Sequence, residues 1–371
     1  MFSGGLSNPM MSLYATTFTT ELLLIGTVVS SFWIIRVLSE IPIGTISDYI
    51  GRKKPIVIGV FFSVLGAILC AVADNISLII IGQAIRGAGM AAFFCVSLAM
   101  ITETVPPQSR GRAMGILQSI EFIGSTLGAS LGGYVVSLLG YKGLFWVCTA
   151  IASVAFVLTL SIHPPSRKPE GKPLTMLKQS LKKLPTLGNV TMFAICFIIL
   201  IMMIKDNGLL MTVVPLYAKF YLGMTITDVS LIMASRSAGV AIGAISGGWL
   251  SDRMGREKVL VIGLVLSIVS VSSMPMLGVF TVLALLMCTE GIGMGYVQCT
   301  IPVLVTDMFP STRGLSIGLY RTFFDLGGFI GPYVIMTIVS LYGYIIAFYT
   351  TAALLSMNLI ASIFLRRKTA S

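Results

Sequence analysis

Arg36 and Glu40, Arg86, Glu121, Lys205 and Asp206, Arg236, Glu290, Arg321 and Asp325 are charged residues set inside runs that are otherwise apolar. Charge persists in such surroundings where it faces protein, a partner of opposite sign or a water-filled path. Bases and acids are equal in number, so the set announces neither an anionic nor a cationic ligand. Arg36/Glu40 and Arg321/Asp325 each stand four residues apart and share a helix face; they read equally as neutralising pairs or as groups lining a pathway. A proton carrier needs a carboxylate whose affinity for the proton responds to desolvation and to the approach of a cation. Glu121, with no base four positions away, fits that role first. Asp206 follows, with Lys205 beside it as an alternative partner, and Asp325 comes next.

The chain offers no catalytic constellation. Cys70, Cys95, Cys148, Cys196, Cys288 and Cys299 are scattered singly, with neither a CxxC pair nor a Cys/His cluster at metal-ligand spacing, and read as small buried hydrophobes. The single histidine, His163, stands beside Pro164 and Pro165 without partners for a triad or a metal. No GxxxxGK[ST] loop occurs, so ATP is not expected to bind. Neither an enzyme, a cofactor nor a bound metal is expected, and work done by such a chain must draw on an ion gradient.

The elements that carry these charges follow from composition. Of 371 residues, 56% are hydrophobic and 11% charged, whereas soluble domains carry about 25% charged residues. Mean hydropathy is +0.96. A spanning helix takes about 20 apolar residues, and backbone groups in lipid must be satisfied inside helices or closed barrels. Runs near 1–18, 22–47, 55–73, 77–102, 112–137, 142–162, 189–218, 226–250, 259–278, 281–306, 315–338 and 342–364 predict an all-α polytopic membrane protein. A Lys- and Pro-rich stretch, 164–188, is the expected linker between an N-terminal half, 1–163, and a C-terminal half, 189–365, with a basic tail at 366–371. Runs 3, 6, 9 and 12 carry no interior charge and are expected outermost.

Basic residues fall after runs 2, 4, 8 and 10, in the linker and in the tail, while the opposite loops hold only Lys142 and Lys219. The positive-inside rule then places the C-terminus and the linker in the cytoplasm, and the N-terminus too if the first run crosses fully, in a cell (inner) membrane. The net charge of +11 needs no nucleic acid to explain it. The first Lys or Arg is Arg36, so a cleaved signal peptide is not indicated.

The two halves repeat. Gly44-Thr-Ile-Ser-Asp48-Tyr-Ile-Gly51-Arg52 recurs as Gly248-Trp-Leu-Ser-Asp252-Arg-Met-Gly255-Arg256, Arg86 falls opposite Glu290, and Gly124 and Gly128 fall opposite Gly327 and Gly331. This ladder marks a tandem duplication of a six-helix unit in parallel orientation, an arrangement that transporters use. Setting Leu13-Tyr14-Ala15 on Leu216-Tyr217-Ala218 puts Met1 opposite Ile204, so the first helix is expected to be short at its cytoplasmic end. A late start codon and a true stub are both open.

The doubled GxxxDxxGR loop resembles the signature of the major facilitator superfamily, and the resemblance covers the whole chain. It implies two six-helix bundles and makes Gly44, Asp48, Gly51 and Arg52, with Gly248, Asp252, Gly255 and Arg256, a latch that holds one state of an alternating-access cycle. Arg86-Gly87-Ala88-Gly89 resembles the family's intramembrane arginine motif. The glycines from Gly115 through Gly124 and Gly128 to Gly132 and Gly133 are similar to the antiporter signature of the drug-efflux branch, with Ala129 where that signature has proline; the second half keeps the proline at Pro332. The expected function is secondary active transport of a small molecule by a monomer, with proton-coupled export as the reading and proton-coupled uptake of a metabolite as the alternative. Arg86 and Glu290, opposite in sign at matched depth, would change their pairing as the halves rock.

Overall fold

The computed structural model describes residues 1–106, 110–161, 190–276, 278–308 and 313–366; the linker 164–188 and the end of the basic tail lie outside them. Twelve helices follow one another: α1 Phe2–Ala15, α2 Leu22–Ile50, α3 Lys53–Ala71, α4 Ile76–Thr104, then Arg110–Leu160, which Gly140 breaks into α5 (110–139) and α6 (141–160). The second half comprises α7 Val190–Tyr221, α8 Ile226–Met254, α9 Arg256–Ser273, α10 Phe280–Met308, α11 Arg313–Tyr342 and α12 Tyr344–Arg366. No strand occurs among the described residues. All but α1 lie in stretches long and apolar enough to cross a bilayer, and α1 has 14 residues.

Helix ends are set by local chemistry. Gly51, Gly140, Gly255 and Gly343 have φ of 85°, 69°, 90° and 83°, a region that costs a side chain but not glycine, and each sits where one helix stops and the next begins. These are two repeat pairs, so the duplication preserved the turns. Asn75 caps α4 by accepting from Leu78 N at 2.9 Å, and Thr225 with Asp228 forms a reciprocal cap at the start of α8. The seventh helix departs from regularity: 204–213 winds as a π-helix, whose wider turn re-aims successive side chains.

The repeat is physical as well as sequential. Tyr14 rests against Phe18, Tyr141 and Phe145 at ring distances of 5.2, 5.4 and 5.3 Å. Tyr217 meets Tyr221, Tyr344 and Phe348 in the same places at 5.0, 5.8 and 5.1 Å. Gly59 and Gly89 bring α3 and α4 together so closely that a Cβ on either would lie 2.9 or 2.5 Å from the other's carbonyl oxygen; Gly263 and Gly293 do the same for α9 and α10 at 2.7 and 2.6 Å. Small residues of this kind let membrane helices pack backbone to backbone. The extensive contacts of α3, α9 and α12 all stay within their own half, as expected of outer helices.

The halves meet along two pseudo-symmetric pairs of helices, α2 with α11 and α5 with α8. In the first, a Cβ at Gly26 would lie 3.0 Å from Pro332 O, Ser30 Oγ donates to Phe329 O at 2.8 Å, and the Trp33 indole covers Gly328. In the second, Ser230 Oγ donates to Ala129 O at 2.7 Å and accepts from Gly133 N at 2.9 Å. All these contacts lie toward the end of the bundle away from the basic loops. Gly44, Gly248 and Gly318 each stand 18 residues from Gly26, Ser230 and Met336, which is five helical turns on the same face and about 27 Å along the axis. At all three a Cβ would meet nothing within 4 Å among the described residues. The same faces that seal the halves at one end are therefore parted at the basic end.

Candidate functional site

Two groups of charged residues sit in this frame. The larger is buried in the second half. Lys205 and Glu290 are fully buried and bonded to each other; Arg236 donates through Nε to Glu290 Oε2 at 2.7 Å and through Nη2 to Asp206. Two cations and two anions thus neutralise one another across α7, α8 and α10. Lys205 and Asp206 are neighbours in sequence yet reach different helices, because successive residues on a helix point about 100° apart. Of the partners open to Asp206, it is a base on another helix, Arg236, and not the adjacent Lys205 that it meets.

The second group lies between the halves, on the open side of the Trp33–Gly328 contact. Arg36 Nε is 3.5 Å from Glu40 Oε1 on its own helix and 3.3 Å from Asp325 Oδ2 on α11. The Arg321/Asp325 pair suggested by their spacing is therefore corrected, since α11 packs on α2 and brings Asp325 to Arg36. Asp325 is fully buried and neither of its oxygens has a hydrogen-bond partner among the described residues. Two guanidiniums from different halves lie over one ring: Arg36 at 4.9 Å and Arg321 at 5.1 Å from the centroid of Phe94. Arg321 also lies 5.7 Å from Phe324, a cation–π arrangement. Glu121, on α5, has a buried Oε1 without a hydrogen-bond partner among the described residues.

Arg86 stands apart from both groups. It donates to Gln83 Oε1 at 2.8 Å and Ser7 Oγ at 2.7 Å, and lies 5.8 Å from the Phe145 ring. Arg86 and Glu290, whose pairing was expected to change as the halves rock, are each satisfied inside their own half in this conformation. Gln83, three residues before Arg86 on one helix face, was open to discovery from spacing. Ser7 and Phe94 carried no such signal.

At the basic end, Gly51 and Gly255 supply the positive-φ turns of the doubled loop. Arg52 Nη1 donates to Ser47 Oγ at 2.6 Å, and Arg256 pairs with Asp307 on α10. No described atom lies within 4 Å of a Cβ placed on Gly44 or Gly248. Asp252 is exposed; the Asp48 side chain lies outside those described.

Two pseudo-symmetric six-helix halves, closed on each other at one end and parted at the other around buried charge, define a membrane carrier of the alternating-access kind. The Major Facilitator Superfamily profile matches residues 1–220 and 196–371, and the chain belongs to that family. It is 26% identical over 344 residues to an uncharacterized MFS-type transporter of Methanocaldococcus jannaschii, covering 89% of this chain and 86% of that one. It is also 26% identical over 325 residues to the multidrug resistance protein MdtG of Proteus mirabilis, covering 86% and 80%. A solved bacterial homologue of the lysosomal transporter Spinster, inward-facing and occupied, superposes with a TM-score of 0.81 at 14% identity, over 98% of this chain and 92% of that one. The chain is a multi-pass membrane transporter, not an enzyme, and its resemblance to the drug-efflux branch holds.

Proposed function

We propose that this chain is a proton-driven exporter of small molecules, seen with its cavity open toward the cytoplasm. The observation that carries the coupling is Glu121. Among the described carboxylates within the spans, Glu40, Asp206, Glu290 and Asp325 all have an ion-pair partner, and Glu121 has none. A carboxylate free of fixed cations can exchange a proton for a ligand without first breaking the fold. Asp206, the other sequence candidate, is committed to Arg236 and drops behind it.

Export is supported by the relative named for multidrug resistance and by the α5 glycines, of which Gly124, Gly128 and Gly132 lie against α1 and Gly133 against α8. The inward-open assignment follows from the basic loops lying in the cytoplasm. The C-terminus and the linker 164–188 would then be cytoplasmic. The doubled loop would act as a latch that engages when the basic end closes, since its glycines Gly44 and Gly248 are bare in the present state. A carrier of this design works as a monomer on a small-molecule substrate, in the cell membrane.

The test is transport in proteoliposomes by Glu121→Gln. Substrate exchange should persist while accumulation driven by a pH gradient fails. Full gradient-driven accumulation by this variant would remove Glu121 from the coupling step.

A further inference from the structure

We propose that the inner end of the space between the halves is a stacking platform for uncharged, planar aromatic molecules, built from Trp33, Phe94 and Phe324 and oriented by Arg321. This names the substrate class of the carrier reading above and rests on it.

Five side chains form a closed circuit there. Arg36 lies 5.1 Å from the Trp33 ring and 4.9 Å from that of Phe94, and Arg321 lies 5.1 Å from Phe94 and 5.7 Å from Phe324. Phe324 returns to Trp33 at 6.3 Å between ring centroids. Trp33 and Arg36 belong to α2, Phe94 to α4, and Arg321 and Phe324 to α11, so the circuit closes only across both halves. Trp33 also covers Gly328 in the seam, which sets the circuit where the parted faces converge. Trp33, Phe94, Arg321 and Phe324 are each partly exposed.

Charge decides what such a platform takes. Arg36 stands between Glu40 at 3.5 Å and Asp325 at 3.3 Å, and this trio alone carries one net negative charge. Arg321, held over the same Phe94 ring as Arg36, cancels it. Two bases and two acids leave no counter-charge to spare, so an ion enclosed here as the halves close would keep its own charge unbalanced away from water. An uncharged molecule avoids that penalty. Arg321 touches only aromatic rings, with no hydrogen bond or ion pair among the described residues, although a guanidinium has five donors. A carbonyl oxygen or ring nitrogen of the ligand accepts from it, while the ligand's π face packs on the rings and guanidiniums. A saturated ring of the same size has no such face. Because the circuit spans both halves, a ligand lying on it also ties them together.

The experiment uses the purified full chain at neutral pH and four matched probes followed by calorimetry: naphthalene-2-carboxamide, its saturated decahydro analogue, 2-naphthoate and 2-naphthylmethylammonium. The flat amide should bind roughly tenfold more tightly than each of the others. Phe94→Leu should reduce it to the level of the saturated amide; should that variant not fold, Phe324→Leu must give the same selective loss. Arg321→Gln removes a positive charge and should weaken the flat amide while strengthening the cation, whereas Glu40→Gln removes a negative charge and should strengthen the anion. An ionic or saturated probe binding as tightly as the flat amide, no amide binding at millimolar concentration, or charge variants that leave the order of the probes unchanged overturns the proposal. Counterflow of the same probes in proteoliposomes separates this site from the carrier reading. Selective binding with no counterflow of any probe removes transport and keeps the site, whereas counterflow without preference keeps transport and removes the site.

Discussion

Ser230 donates its hydroxyl to the carbonyl oxygen of Ala129 at 2.7 Å, joining α8 of the second half to α5 of the first. The equivalent carbonyl in the other seam is that of Pro332, and the equivalent of Ser230 is Gly26, which has no side chain to offer. At this repeat position one seam is therefore pinned by a hydrogen bond and the other by close backbone approach, while Ser30 supplies the hydrogen bond of the second seam one turn further on. Ser230→Ala removes the pin without adding bulk and should shift the equilibrium away from the present state by about 1 kcal/mol, or about fivefold. Solvent labelling of cysteines placed at the sealed end reads the shift. Unchanged labelling would mean that the seam is held by packing alone.

Gly133 admits no side chain in this state, since a Cβ there would lie 2.6 Å from Ile226 O, and one at Gly26 would be crowded at 3.0 Å from Pro332 O. Gly133→Val and Gly26→Val should thus open the sealed end and cut transport while leaving thermal stability nearly intact, because each half keeps its own core. A large fall in unfolding temperature would show that the halves depend on one another for folding.

In the second half, Glu290 is the only carboxylate touching Lys205 among the described residues, and it also holds Arg236. Glu290→Gln leaves a fully buried lysine unpaired, and removal of one partner from a buried network costs about 3–5 kcal/mol. Lys205→Met together with Glu290→Met should be milder than Glu290→Gln alone. Thermal unfolding in detergent ranks the two, and the reverse order would mean that the network contributes little to stability.

The twelve runs, the duplication and the outer position of α3, α9 and α12 were legible in the sequence, because span length, charge placement and a fixed offset do not depend on how helices face one another. Which charges meet was not legible. Asp325 stands one turn from Arg321, yet the packing of α11 on α2 hands it to Arg36. Lys205 and Asp206 are adjacent, yet they reach Glu290 on α10 and Arg236 on α8, because which helices stand on either side of α7 is set by tertiary packing. The bare faces of Gly44 and Gly248 belong to one of two states, and a sequence encodes both at once.

Those bare glycines give a prediction about the latch. Gly44→Leu meets open space here and should leave this state undisturbed, while obstructing any helix that closes on α2 at the basic end. Cycling should slow more than substrate binding weakens, and Asp48→Asn should do likewise. Gly248 and Asp252 should follow the same pattern less severely, since Glu257 dilutes the basic run of their loop. A cysteine pair at 44 and 318 should cross-link only after the basic end closes. Equal loss of binding and turnover in Gly44→Leu would indicate misfolding instead.

Coupling is the sharpest test, because two carboxylates that looked alike in sequence are now distinguished by their surroundings. Asp206 is held by Arg236, so Asp206→Asn breaks a structural pair and should lower stability more than it alters the dependence of transport on the proton gradient. Glu121 is held by nothing among the described residues, so Glu121→Gln should be tolerated by the fold and should uncouple. Transport measured across external pH from about 5.5 to 8, a range that brackets carboxylate titration in proteins, separates the two. Wild type should accumulate or expel substrate according to the imposed gradient. Glu121→Gln should only equilibrate it, at a rate indifferent to pH. If Glu121→Gln keeps full gradient-driven transport and Asp325→Asn loses it, the proton travels instead through the Arg36-bound pair of Glu40 and Asp325, which joins the two halves at the same depth.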